Sequence, residues 1–260
     1  MEIYNVDKAK YEGVYGKGFI SDISRSCEMA NLWTRQGLSD DEVATGHYIG
    51  GYRSHNRLKE VLADHNLHFG GLNSLLDFAS GFGRTTRFFV QELDPSKITV
   101  SDITSEGVDY QKAKFGVSGF NSTNEPEDLH HDGKYQVIFA NSLFSHLNLD
   151  HFTRWLTKLS SFLEPGGLLL FSTHGYSFFK KRTESDRNIM MANSPAKGFF
   201  FWSANETIGR LNPDIYGTTF VIPGFVKKLV KDHGLGEITK SYNPMPGFMA
   251  GQDIYVLKRT

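Results

Sequence analysis

The distribution of apolar positions along the chain changes character near residue 73. Before it, the pattern is irregular and then helical. Ser39-Asp40-Asp41-Glu42 has the form of a capping box, with Ser39 as N-cap and Glu42 three residues on. Leu58, Val61, Leu62 and Leu67 recur at helical spacing within 54–67. After residue 73, short apolar runs alternate with amphipathic segments. Strands are predicted at 74–78, 97–102, 117–120, 135–140 and 168–172, and helices at 85–92, 106–115 and 151–163. Glu164-Pro165-Gly166-Gly167 breaks the last of these helices. The strand runs are continuously apolar, as strands buried on both faces can be. Strand–helix alternation predicts an α/β fold with a parallel sheet covered by helices on both faces.

The rhythm stops at residue 176. The stretch to 221 is rich in aromatic residues and Asn, and reads as an inserted lid at about 175–222. A helix over 223–233 follows, with Pro223 in its first turn. A closing pair of strands is expected at 236–242 and 253–257. The expected organisation is an N-terminal helical cap, 1–65, and a main domain, 66–260, that carries the lid.

Composition narrows the function classes. The chain has 260 residues, 39% hydrophobic and 22% charged, with a formal net charge of −1. That balance suits a globular protein and lacks the basic excess of a nucleic-acid binder. The lone cysteine, Cys27, cannot form an intramolecular disulfide or a thiolate cage. The opening MEIYNVDKAKYEG lacks a secretory apolar run, and no stretch approaches ~20 apolar residues. A cytoplasmic setting without a membrane span is expected; the oligomeric state is not legible. His130-His131-Asp132 reads as an exposed loop, so no metal site is expected.

The chemistry gathers on the turn Asp77-Phe78-Ala79-Ser80-Gly81-Phe82-Gly83. Ligands of open α/β sheets bind beyond the carboxyl ends of the strands. Gly81 and Gly83 let the backbone approach a ligand closely, and a helix starting near Arg84 would aim free N–H groups at it. Asp102, at the end of the next strand, can accept hydrogen bonds from both hydroxyls of a ribose. A dinucleotide fingerprint would need a third glycine where Thr86 stands, and Asp77 would repel a pyrophosphate. A cationic ligand with an amino-acid tail would welcome that acid, which favours S-adenosylmethionine over NAD.

On these residues, 73–174 resembles the core of class I S-adenosylmethionine-dependent methyltransferases, of a bacterial small-molecule type. Residues 75–84, ending in Arg84, match the first motif, and Val100-Ser101-Asp102-Ile103 the ribose-binding second. Residues 135–147, which include Asn141-Ser142-Leu143-Phe144-Ser145-His146-Leu147, match the fourth-strand motif. Residues 162–171, containing Leu163-Glu164-Pro165-Gly166-Gly167, match the strand that follows. The resemblance implies a Rossmann-like seven-stranded sheet, mostly parallel, with the last strand antiparallel.

It also implies roles. Gly81 and the Ala79 backbone face the methionine moiety, Asp77 holds its amino group, and Asp102 holds the ribose with Ile103 against the adenine. Ser122 and Thr123 fall where the adenine amino group is often touched, and Asn141 and Ser142 line the sulfonium side. The Asn/Asp-Pro-Pro-Tyr motif of DNA amino-methyltransferases is missing after the fourth strand.

His174 and His146, after the fifth and fourth strands, are the candidate general bases. The expected activity is methyl transfer to a small-molecule acceptor, such as a hydroxyl of a sugar or natural product. The rivals are an NAD-dependent oxidoreductase and a non-catalytic S-adenosylmethionine-binding protein.

Overall fold

The computed structural model describes residues 2–203, 211–245 and 251–260. Residues 204–210 of the predicted lid lie outside these. The chain divides into two compact units, 1–122 and 123–260.

The N-terminal unit starts with α1 (Lys8–Tyr15), α2 (Glu28–Arg35) and α3 (Asp40–Ala63). Then come β1 (Leu75–Phe78), α4 (Thr86–Phe89), β2 (Ile98–Asp102), α5 (Ser105–Phe115) and β3 (Ser118–Asn121). β1 pairs with β2, and β2 with β3, both parallel. The capping box at Ser39 and Glu42 forms as expected.

The helix it caps does not stop before residue 54. It continues through Gly46, Gly50 and Gly51 for 24 residues. Glycine in a helix costs about 0.5–1 kcal/mol relative to alanine, so the pattern alone suggests two helices. Packing explains the continuity. A Cβ on Gly51 would collide with the Arg84 carbonyl oxygen and come within 2.8 Å of the Phe88 ring. Only glycine lets α3 lie this close to the residues around α4. Gly51→Leu is expected to cost at least ~1–3 kcal/mol by overpacking, read as a lowered urea midpoint; unchanged stability would show that α3 does not seat here.

The segment predicted as a helix at 85–92 is also different: α4 is one turn. Beyond it, Gln91 and Glu92 donate to the Phe88 and Phe89 carbonyls, i to i+3, and Pro95 follows.

The C-terminal unit comprises β4 (Tyr135–Ala140), α6 (Leu149–Ser161), β5 (Leu163–Thr173), α7 (Tyr176–Phe179), α8 (Glu184–Ala192), β6 (Phe199–Trp202), β7 (Thr218–Val221), α9 (Pro223–Asp232), β8 (Glu237–Tyr242) and β9 (Asp253–Lys258). β5 includes the Pro165-Gly166-Gly167 stretch, which the sequence reads only as a helix breaker. There the β4–β5 register shifts between Tyr135 and Val137, absorbing residues that a regular ladder would exclude. β9 runs antiparallel to both β5 and β8.

The seven-stranded order is β3-β2-β1-β4-β5-β9-β8, with β9 the antiparallel strand. This is the expected Rossmann-like α/β arrangement. β6 and β7 form a separate antiparallel ribbon. No helix among the described residues is long and apolar enough to cross a membrane.

Candidate active site

In the N-terminal unit, parallel pairing sets the carboxyl ends of β1 and β2 side by side, with Asp77 opposite Val100 and Asp102 two residues on. Both acids are nearly buried. The turn after β1 takes left-handed backbone at Ala79 (φ 59°), Gly81 (φ 57°) and Gly83 (φ 73°). Ala79 is not a glycine, so this conformation costs of order 1–3 kcal/mol, a strain typical of functional turns.

The two glycines differ in purpose. Nothing lies within 4 Å of a Cβ on Gly81, so its backbone opens onto space. A Cβ on Gly83 would strike the Phe115 ring and come 2.8 Å from Gln111 Oε1, so Gly83 serves packing. The turn is tied to β2: the Ser80 amide donates to the Ser101 carbonyl at 3.1 Å.

Asp102 accepts from the Gly81 amide through Oδ2 at 2.7 Å and from the Thr104 amide through Oδ1 at 2.9 Å. Burial raises its pKa, against the opposing pull of those backbone amides. Each carboxylate oxygen has a second lone pair for a ligand hydroxyl. Asp77 Oδ2 lies 2.7 Å from Thr86 Oγ1. Burial pushes the Asp77 carboxyl up to about 7; the Thr86 hydroxyl and Arg84 pull it down, and Asp102 adds to the rise.

Phe78 is buried in β1, while Arg84 and Ile103 are half-buried. Ser122 follows β3 and donates its amide to the Asp102 carbonyl at 2.9 Å. The structure thus gathers Asp77, Ala79, Ser80, Gly81, Gly83 and Asp102 around one turn. Two participants escaped the sequence reading. Thr86 figured only as a missing glycine. Gln111 sits at helical spacing between buried Val108 and Phe115, and a polar residue in that stripe was the available signal.

The C-terminal unit carries a second polar cluster at the ends of β4, β5 and β9. Ser142 is left-handed (φ 63°), and its amide donates to Ser172 Oγ at 2.8 Å. Gln252 Oε1 accepts from Ser172 Oγ at 2.8 Å and Ser142 Oγ at 3.2 Å. The Gln252 Nε2 lies 3.3 Å from His174 Nε2, and since an amide nitrogen only donates, the ring nitrogen accepts in this arrangement.

His146 Nδ1 lies 2.9 Å from the Gly217 carbonyl oxygen. A carbonyl only accepts, so Nδ1 carries the proton, and in the neutral ring Nε2 carries the lone pair. The two imidazoles meet edge to face at 5.9 Å, and His174 stacks on Phe178 at 4.4 Å.

The β6–β7 ribbon is joined to this region by backbone bonds from Gly217 to the His146 carbonyl and from Val221 to the His174 carbonyl, each near 3 Å (2.8 and 3.0 Å). Asn141 Oδ1 is 3.3 Å from Ser172 Oγ. Asp253 accepts from Asn243 Nδ2 at 2.8 Å, and burial raises its carboxyl to about 6. Thr123, the first residue of this unit, donates to the Glu125 carbonyl at 2.7 Å. His131 bonds the Tyr135 hydroxyl at 2.8 Å and stacks on its ring.

Comparison with known proteins shows what this chain is similar to. Residues 76–169 match a family model described as a methyltransferase domain. A malonyl-(acyl-carrier protein) O-methyltransferase from Priestia megaterium is 26% identical over 134 residues, 49% of this chain and 48% of that protein. A second protein of that description, from Ilyobacter polytropus, is 31% identical over 124 residues, 45% of each. The chain spans about half the length of the curated relatives it matches. A solved S-adenosylmethionine-dependent methyltransferase from Clostridium acetobutylicum superposes with a TM-score of 0.57 at 15% identity, over 89% of this chain and 98% of its own. At that identity the likeness concerns the fold.

Proposed function

We propose that this chain, whose residues 76–169 match a family model described as a methyltransferase domain, transfers a methyl group from S-adenosylmethionine to a small organic acceptor. One observation carries the choice of cofactor. Two buried acids, Asp77 and Asp102, converge on a glycine turn whose central residue, Gly81, opens onto free space. Thr86 occupies the third glycine position of a dinucleotide fingerprint and sets its hydroxyl 2.7 Å from Asp77 Oδ2. An acid so placed opposes a pyrophosphate and suits an ammonium.

In this reading Asp102 holds the ribose hydroxyls, Asp77 the amino group, the Ala79–Gly81 backbone the methionine moiety, and Ile103 the adenine. Titration calorimetry with S-adenosylhomocysteine and with NAD tests it. Binding of the first alone is expected; binding of NAD alone would overturn it.

S-adenosylmethionine, when bound, supplies a methyl group already activated by its sulfonium. The chain must align an acceptor and, for a hydroxyl, take up its proton. His146 suits that task, since the Gly217 carbonyl fixes the tautomer whose lone pair is on Nε2. The Nε2 of His174 already accepts from Gln252, so His174 orients the cluster rather than receiving the proton. The acceptor class we propose is a hydroxyl of a sugar or natural product. The setting is the cytoplasm, where the buried thiol of Cys27 stays reduced. Screening acceptors with methyl-labelled cofactor checks this; label appearing only in protein or RNA would refute it.

A further inference from the structure

Gln111 is fully buried on α5. Its Nε2 donates to the Gly81 carbonyl at 2.9 Å and to Ser80 Oγ at 2.8 Å. Because a carbonyl only accepts, the nitrogen must face Gly81 and Oε1 must face away. There Oε1 meets Thr86 Oγ1 at 2.7 Å, and that same hydroxyl is 2.7 Å from Asp77 Oδ2.

A threonine hydroxyl has one proton, yet here it stands between two oxygens. With Asp77 ionised, one of the two 2.7 Å contacts sets acceptor against acceptor. Reversing the Gln111 amide moves the conflict to the Gly81 carbonyl, 2.9 Å away. The count closes when Asp77 is protonated. Asp77 then donates to Thr86, Thr86 to Gln111, and Gln111 to the Gly81 carbonyl.

We propose that Gln111, by claiming the Thr86 hydroxyl proton, is a positioning residue that keeps Asp77 protonated until the cofactor arrives, so that binding of its ammonium group drives one proton from Asp77 into solvent. This rests on the reading that S-adenosylmethionine occupies the turn. The proton leaves the Asp77 carboxyl for solvent, the Thr86 hydroxyl rotates to donate to Asp77 Oδ2, and the cofactor's ammonium pairs with the carboxylate that remains. The chain of bonds also couples protonation to shape, because Gln111 holds Ser80 and Gly81 in the turn.

The charged groups bearing on Asp77 are Asp102 from β2, which favours the proton, and Arg84 from the turn, which opposes it. Burial, the largest influence, lifts the carboxyl to about 7, so the unliganded site is protonated below neutrality.

Calorimetric titration with S-adenosylhomocysteine, in buffers of different ionisation enthalpy, counts the released proton. About one proton per ligand is expected near pH ~6, falling toward none by pH ~8. The dissociation constant should tighten roughly tenfold per pH unit below neutrality and then level off.

The two variants should move the midpoint in opposite directions. Gln111→Met removes the oxygen that competes for the Thr86 proton, so the midpoint falls. Thr86→Val removes the carboxylate's hydroxyl donor, so it rises. A merely structural role would weaken binding equally at every pH and leave the midpoint in place. Should either variant fail to fold, the proton count of the unaltered protein still decides. Tight, pH-independent binding without proton release overturns the proposal and leaves the cofactor reading intact; no binding of S-adenosylhomocysteine at any pH overturns both.

Discussion

Turnover of a hydroxyl acceptor by the His146→Asn variant should fall by ~10²–10⁴-fold, the usual contribution of a general base. The affinity for S-adenosylhomocysteine should hardly change. Asparagine is the informative substitution. Its amide can keep the hydrogen bond that His146 Nδ1 makes to the Gly217 carbonyl, so the β6–β7 ribbon stays anchored while the basic nitrogen is lost.

His174→Asn provides the contrast. Its ring accepts from Gln252 and stacks on Phe178, so the loss should be smaller, about tenfold, and should include a weaker acceptor KM. Full activity of His146→Asn, in a rate assay under saturating cofactor, would remove His146 as the base. A larger loss at His174 would transfer the role to it.

Asp102→Ala should weaken S-adenosylhomocysteine by ~1.5–3 kcal/mol, roughly tenfold to a hundredfold, the scale of charge-assisted hydrogen bonds. Asp102 acts twice. Its carboxylate accepts from the Gly81 amide at 2.7 Å and the Thr104 amide at 2.9 Å, and its remaining lone pairs face the ribose in the proposed complex. Removing it therefore loosens the turn as well as the ligand. Adenosine, which has the ribose but no amino-acid tail, separates the two effects: its binding should fall by a similar factor. Unchanged affinity for both ligands in calorimetry would count against the ribose role.

Much of the fold was legible because it is encoded locally. The strand runs at 74–78, 97–102 and 135–140 announce β1, β2 and β4 to within a residue or so. The capping box at Ser39 and Glu42 marks the start of α3. Where the reading differed, long-range packing overrode local preference. Gly50 and Gly51 look like a break, yet α3 runs through them because a backbone carbonyl lies against it. Pro165 and Gly166 look like the end of an element, yet β5 carries them with a shifted register against β4.

The same division holds at the glycine turn. The sequence alone determined that Asp77, Gly81 and Asp102 would sit at strand ends, because alternating apolar runs and a parallel sheet leave little choice of place. It also determined that a third glycine was missing at Thr86. Only the tertiary structure decided what that threonine does. Its hydroxyl is shared between Asp77 and Gln111, residues 9 and 25 positions away in the chain, and hydrogen-bond polarity between distant residues leaves no periodic trace. Histidine partners follow the same rule: His146 and His174 are two histidines after two strands in the sequence, and only the tertiary structure sets one ring against the Gly217 carbonyl and the other against the Gln252 amide.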